Sequence, residues 1–412
     1  MSWEKVRLAD CCQIKPPKSE AKKKLKDEDL VSFVPMNNLG IDTPKLILEE
    51  DKSLSKVSGS YTYFADNDVL LAKITPCFEN GKLGIAKGLT NGIGFGSSEF
   101  IVFRTSDRLL PEYLYYYLLR PSFRDAGQSV MTGAVGHKRV PRGFIEDTEI
   151  PLPSITEQKR IVTILDRAFA DIDKARALTE QNLKNARELF ESYLQQVFSR
   201  CGEGWVDTTL GQATGGVFTG PFGSLLHKSD YIENGIPLVN PAHITPTGIE
   251  ADYRKTISEE TADKLSSYVM RAGDIVIGRR GEMGRCALIN DDEDGFICGT
   301  GSFFMKSSDH VVGSYLVRYL RSEFCRIRLE QIAGGAVMPN LSNSDLSNFS
   351  LSLPPVRQQK EISKLVDEIS LQLESVVEIY GKKIVDLDEL KKSVLQKAFS
   401  GELTKDSEEV AA

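Results

Sequence analysis

The residues best equipped to contact a ligand sit in short basic turns broken by glycine. Arg279-Arg280-Gly281-Glu282-Met283-Gly284-Arg285 follows an apolar run, and its counterpart in the first half of the chain runs from Lys73 to Lys82. A second basic turn, His137-Lys138-Arg139-Val140-Pro141-Arg142, comes just after Gly133-Ala134-Val135. Glycine lets backbone approach a groove, the arginine fork binds guanine through two bonds, and lysine meets phosphate. Asn340, Ser342 and Asn343 carry short amides and a hydroxyl, suited to adenine edges or phosphates. These turns predict contact with double-stranded DNA. The candidate DNA-binding residues are Lys73, Lys82, Lys138, Arg139, Arg142, Arg279, Arg280, Arg285, Asn340, Ser342 and Asn343. Lys22-Lys23-Lys24 lies among acids and reads as a solvated loop.

Catalytic patterns are sparse. Asn80-Gly81-Lys82-Leu83-Gly84 lacks the hydroxyl and upstream spacing of a phosphate-cradling loop, which argues against NTP hydrolysis. Asn240-Pro241-Ala242-His243 is a poor approximation to an amino-methyltransferase tetrad. The four histidines have no neighbouring ligands at metal spacing. Asp147, Glu157 and Lys159 resemble the acidic and lysine spacing of an Mg-dependent endonuclease. The corresponding stretch Gln358-Gln359-Lys360 has lost the carboxylate, and acids at a helix start favour the dipole. There Ser154 or Thr156 would act as the N-cap. No catalytic and no metal-ligating residues are therefore expected.

The elements that must position the basic turns occur twice. Trp3 to Leu8 matches Trp205 to Leu210; Asp68 to Lys73 matches Asp274 to Arg279; Gly133-Ala134-Val135 recurs as Gly335-Ala336-Val337. Pro151 to Ile161 parallels Ser352 to Ile362, and Leu194 to Ser199 parallels Leu395 to Ser400. A period near 200 residues is far longer than a solenoid repeat. Each copy opens with short apolar runs bounded by Gly, Asn, Asp and Pro. Asp68–Ile74, Phe100–Arg104, Asp274–Gly278 and Gly301–Lys306 read as strands, and Tyr113–Leu119 and Tyr315–Leu320 as apolar helices. The fold class is α+β: two mixed α/β domains in tandem, each followed by a long α-helix.

Beyond each proline-rich boundary the period becomes helical. Val162, Leu165, Phe169, Ile172, Leu183 and Phe190 form an apolar stripe interrupted by Arg176 and Thr179. Val366, Ile369, Leu373, Tyr380, Ile384 and Leu387 form another, with Lys391 as the break. A helix that long with so narrow a stripe needs a partner helix, and the other copy is the nearest, giving an antiparallel coiled coil. The expected organisation is a domain over 1–154, a helix over 155–201, a domain over 202–355, a helix over 356–402 and a polar tail over 403–412.

Composition sets outer bounds. With 412 residues, 41% hydrophobic and 26% charged, the chain has enough apolar content for several cores, which excludes a disordered chain. No apolar run is long enough for a membrane span. The polar N-terminus lacks a signal-peptide core, so cytoplasmic location and no membrane partner are expected. Seven cysteines without CxxC spacing fit reduced thiols. The net charge of −7 argues against coating nucleic acid by bulk charge. Residues 1–154 hold 21 basic and 20 acidic residues, whereas 204–355 hold 13 and 18, so a DNA reader this weakly basic should depend on partners for phosphate affinity and on local loops for specificity.

Taken together the chain resembles the specificity subunits of Type I restriction–modification systems. The duplicated domain–helix plan carries the match, along with the helix-start segment Leu-Pro-x-x-x-x-Gln-Lys/Arg-x-Ile, present as Leu152–Ile161 and Leu353–Ile362. Thr219-Gly220-Pro221-Phe222-Gly223-Ser224 is similar to the family's opening of the second recognition domain and adds Phe222 and Ser224 to the candidate DNA-binding residues. The first domain departs here, with Ile14-Lys15-Pro16-Pro17-Lys18 at that place. The resemblance implies a non-catalytic reader of a bipartite, asymmetric DNA target, one half-site per target-recognition domain. The paired helices would act as a ruler and as a docking surface for two methyltransferase subunits. Motor-nuclease subunits would complete the complex. S-adenosylmethionine, ATP and Mg would belong to those partners, with no cofactor in this chain. A stand-alone endonuclease and a protein-binding assembly scaffold are the alternatives.

Overall fold

The first strand of each globular domain pairs with its last. Lys5–Arg7 runs antiparallel to Glu149–Pro151, with Val6 opposite Ile150, and Val206–Thr209 pairs in the same way with Ser350–Leu353. Each ladder brings the two ends of a domain together just before a long helix begins. The computed structural model describes residues 3–200, 202–221, 225–334 and 340–404.

Within the first domain an antiparallel sheet has the spatial order Cys12–Ile14, Phe100–Thr105, Val69–Ala72, Leu83–Ile85. The second domain repeats it as Val217–Thr219, Ser302–Met305, Ile275–Gly278, Cys286–Leu288. Val69–Ala72 and Ile275–Gly278 are buried at every position, which is why each reads as an unbroken apolar run. Each domain holds a further four-stranded sheet containing one parallel pair: Leu30–Val34 beside Ile93–Gly96, and Ile236–Val239 beside Ile297–Cys298. The mixed α/β class expected from the sequence is the class observed.

Against the core sheet packs the helix Pro111–Leu119, whose residues Tyr113 to Leu119 are all buried. Proline at its first turn costs no hydrogen bond. Arg120, placed before Pro121, is extended (φ −61°, ψ 136°) and ends it. Gly313–Arg321 is the equivalent helix of the second domain.

The two long helices span Ile155–Ser199 and Val356–Ser400, 45 residues each. At about 1.5 Å per residue each is a rod of roughly 65–70 Å. The chain forms two compact units, Met1–Thr179 with Lys382–Ala412, and Glu180–Gly381. In the first unit Val162, Leu165 and Phe169 are buried in one cluster with Leu395, Ala398 and Phe399, and Ile172 is buried as well. Lys391 Nζ lies 3.1 Å from Asp173 and Arg176 pairs with Asp388, so rising numbers on one helix meet falling numbers on the other. The helices are antiparallel there. The breaks in the apolar stripe are thereby explained: Arg176 and Lys391 form these cross-helix ion pairs, and the Thr179 hydroxyl donates to the Ala175 carbonyl at 2.7 Å.

Aromatic contacts repeat between the units. In the first, Tyr113 and Tyr117 pack on Phe399 with ring centroids 5.0 and 5.3 Å apart. In the second, Tyr315 and Tyr319 pack on Phe198 at 5.8 and 5.5 Å. Each domain thus rests on the end of the helix that follows the other domain. Tyr116 donates to Asp166 at 2.6 Å, and Arg318 takes its place against Asp367, also at 2.6 Å. The stripe residues Leu183, Phe190, Ile369, Leu373, Tyr380, Ile384 and Leu387 are half-buried, and Val366 is buried.

Candidate nucleic-acid interface

In both domains the basic turns meet at the end of the central core strand. Past Val69–Ala72, the Lys73 amide donates to the Glu99 carbonyl at 3.0 Å, and its own carbonyl accepts from Val140 at 2.9 Å. Ile74 bridges to Arg139, and Arg139 exchanges backbone bonds with Thr132 at 2.8 and 3.0 Å. Past Ile275–Gly278, Arg279 donates to Gly301 at 3.0 Å and accepts from Leu341 at 2.9 Å, while Arg280 bridges to Asn340 and Asn340 to Gly334. One backbone lattice therefore presents Lys73 and Arg139 in the first domain and Arg279, Arg280 and Asn340 in the second. Gly281 and Gly284 adopt φ of +82° and +76°, and a Cβ at Gly284 would collide with the Leu320 carbonyl. That turn needs glycine.

The side chains differ between the copies. Arg139 donates to Glu99 through Nε (2.9 Å) and Nη2 (2.7 Å), and through Nη1 to the His137 carbonyl (3.1 Å). Lys73 Nζ donates to the Ser98 carbonyl at 3.1 Å and lies 3.9 Å from Glu99. The hydrogen bonds from Arg139, aided by the charges of Lys73 and Arg139, hold the Glu99 carboxyl below the usual range despite partial burial. Arg142 pairs with Glu146 at 2.6 Å, and Lys138 is exposed. Lys82 is turned to an internal use, donating to the Met36 carbonyl at 2.9 Å.

In the second domain Arg279 and Arg280 both donate to Asn340 Oδ1, at 3.3 and 3.2 Å. Burial first, and then the Arg280 charge, lowers the Arg279 pKa. Arg285 reaches Glu282 at 2.6 Å and the Pro241 carbonyl at 3.3 Å. Ser342 caps the helix Asn343–Ser347 by accepting from the Asp345 amide, and Asn343 donates to the Val217 carbonyl at 2.8 Å. Those two side chains have structural work beside any contact with a ligand. Phe222 and Ser224 lie outside the described residues, as do residues 335–339 of the second Gly-Ala-Val turn.

Sequence reasoning missed part of the first site. A cavity of about 440 Å³ opens beside Lys73 and Arg139, lined also by Lys15, Lys18, Arg142, Tyr61 and Tyr63. Lys18 donates to the Gly59 carbonyl at 2.7 Å. Its ammonium pKa is lowered by burial and by the like charges of Lys15 and Lys22. Lys15-Pro16-Pro17-Lys18 was the only signal, and it read as a departure from a pattern instead of as a basic wall.

The helix-start glutamines turn out to be clamps. Gln158 is fully buried; its Oε1 accepts from the Leu110 amide (2.9 Å) and its Nε2 donates to the carbonyls of Arg108 (2.8 Å) and Pro153 (2.9 Å). Gln359 does the same with Val312 (2.8 Å), His310 (2.9 Å) and Pro354 (2.9 Å). The endonuclease pattern does not converge. Asp147 is exposed and pairs with Arg7 at 3.7 Å, whereas Glu157 sits in the first helical turn, its amide donating to the Ser154 hydroxyl at 3.3 Å. Ser154 is the cap. Among the described residues no group of three or more His, Cys, Asp or Glu is placed to hold a metal, and no helix is long and apolar enough to cross a membrane.

Comparison with known proteins follows the same lines. A family model described as "Type I restriction modification DNA specificity domain" matches residues 1–182 and 215–379. The EcoEI specificity subunit of a Type I restriction enzyme from Escherichia coli is 39% identical over 193 residues, 47% of this chain and 32% of that relative. The EcoAI subunit, also from Escherichia coli, is 37% identical over the same shares. This chain thus spans about a third of the length of those two relatives. The MjaVIII specificity subunit from Methanocaldococcus jannaschii is 24% identical over 97% of this chain and 93% of its own. Two solved chains share the fold. One comes from work on complex assembly and conformational transition of a type I R-M system, with TM-score 0.79, 21% identity and 98% of both chains covered. The other is the HsdS subunit of Thermoanaerobacter tengcongensis, with TM-score 0.69, 20% identity and coverage of 98% and 97%.

Proposed function

Because the chain belongs to the Type I restriction–modification DNA specificity family, we propose that it reads a bipartite, asymmetric DNA target, one half-site per globular domain. The observation that carries this reading is the duplicated corner: one backbone lattice presents Lys73 and Arg139 in the first domain and Arg279, Arg280 and Asn340 in the second. Phosphate contacts fix register and base-edge contacts supply sequence, and the arginine, lysine and asparagine side chains held at this strand end suit both. The differing side chains at equivalent positions suit two different half-sites.

In this reading the chain does no chemistry itself. Two methyltransferase subunits dock on it and motor-nuclease subunits join them; S-adenosylmethionine, ATP and Mg serve those partners. The relatives' description as subunits of restriction enzymes supports this division of labour. The long helices set the gap between half-sites, near one turn of ~10 bp.

Footprinting of the chain with a methyltransferase partner tests the reading. Two short protected blocks separated by an unprotected gap are expected. A single continuous block, or enrichment of no sequence from a random DNA pool, overturns it.

A further inference from the structure

The two reading corners differ at one decisive position. Where the first domain has Glu99, the second has Gly301: each carbonyl accepts from the residue that leaves the central strand, Lys73 or Arg279, at 3.0 Å. Glu99 grips Arg139 through two bonds of 2.9 and 2.7 Å and stands 3.9 Å from Lys73. Its side chain is 22% exposed, and its two partners, Lys73 and Arg139, line the 440 Å³ cleft. The second domain has no room for such a group. A Cβ at Gly301 would come within 2.9 Å of Pro241 Cδ, and the guanidinium groups there share the neutral amide oxygen of Asn340.

A carboxylate among cations does two things to an approaching duplex. It repels backbone phosphate, and it occupies the donors that phosphate would use. Discrimination between partners is a difference of affinities, and it improves when the wrong partner meets an unfavourable group. We propose that Glu99 is a specificity-determining residue of the first domain, keeping Arg139 and Lys73 in an internal ion pair that ordinary phosphate does not open and that a matching half-site replaces. This rests on the DNA-reading function above.

The test uses the full chain in complex with its methyltransferase partner, carrying Glu99→Gln, which keeps the side-chain shape, or Glu99→Gly, which introduces the second domain's residue. Glu112→Gln is the control: it removes one negative charge from the same domain by releasing Lys87, which does not line the cleft. Binding to a random-sequence duplex is followed by fluorescence anisotropy between 50 and 200 mM salt. Release of one or two cations steepens the slope of log K against log salt by ~0.9–1.8, so E99Q loses about 3- to 12-fold more affinity than wild type over that range. Adding Arg139→Gln to E99Q should bring the slope back toward wild type. In pool selection E99Q should blur one half-site and leave the other sharp. Equal slopes for wild type, E99Q and E112Q, or two half-sites still sharp in E99Q, overturn the role of Glu99 while leaving DNA reading intact. Absence of binding by wild type and E99Q alike overturns the DNA-reading function, and the role of Glu99 falls with it.

Discussion

The glutamine of each helix-start segment is an amide whose two donors and acceptor are spent on backbone drawn from two separate stretches of chain. A buried hydrogen bond contributes about 0.5–1.5 kcal/mol net, and an orphaned buried backbone group costs more than its bond contributed. Gln158→Leu should therefore lower unfolding stability by roughly 3 kcal/mol in urea titration, and Gln359→Leu by a similar amount. A loss under 1 kcal/mol in both would show that these clamps are dispensable. Glu99 makes a smaller, pH-dependent contribution. Its pKa is depressed in the fold, chiefly by Arg139, so its stabilisation is present above the ordinary carboxylate value of about 4.3 and is lost as pH falls through the depressed one. Because Arg139 is 46% exposed, the advantage of wild type over E99Q at pH 7 should be only ~0.2–1 kcal/mol. It should shrink as denaturation is repeated at successively lower pH below that ordinary value. The basic character of the corner was legible in the residues themselves. Its acid was not, since Glu99 lies 40 positions from Arg139 and nothing local links them.

Among the elements, the long helices were the most legible, because a stripe repeated over many turns outweighs three polar interruptions. Arg176, Thr179 and Lys391 looked like defects; Asp388 and Asp173, the partners of Arg176 and Lys391, lie more than 200 positions away, where periodicity along one helix cannot find them. The two-residue strands Tyr231–Ile232, Ile244–Thr245 and Thr256–Ile257 were invisible in sequence, since a strand so short is defined by its neighbours' hydrogen bonds. Gly381 offers a test at this scale. It sits inside the unbroken helix Val356–Ser400, and a Cβ there would meet nothing within 4 Å. Gly381→Ala should stabilise the chain by about 0.5–1 kcal/mol, read as a rise of a few degrees in melting temperature. A fall would refute this gain.

For the molecule as a whole, the internal repeat made the plan readable, whereas the partition into two units was not legible in it. The facing pair Arg176 and Asp388 identifies which turns oppose each other. Removing four residues around each of them, a matched turn of about 6 Å, should shorten the preferred gap between half-sites by roughly two base pairs and leave both half-sites unchanged. Pool selection with the shortened chain would show this, and an unaltered gap would refute the ruler. The packing of Phe399 on Tyr113 and Tyr117 has a further consequence, for synthesis on the ribosome. The domain made first stays uncovered on one face until the end of the helix Val356–Ser400 has emerged. A product that stops before Phe399 exposes a tyrosine cluster nearly 300 positions upstream. Completion of the second long helix is thus checked in the first domain, and a copy that lacks its end is marked by exposed aromatic surface in its oldest part.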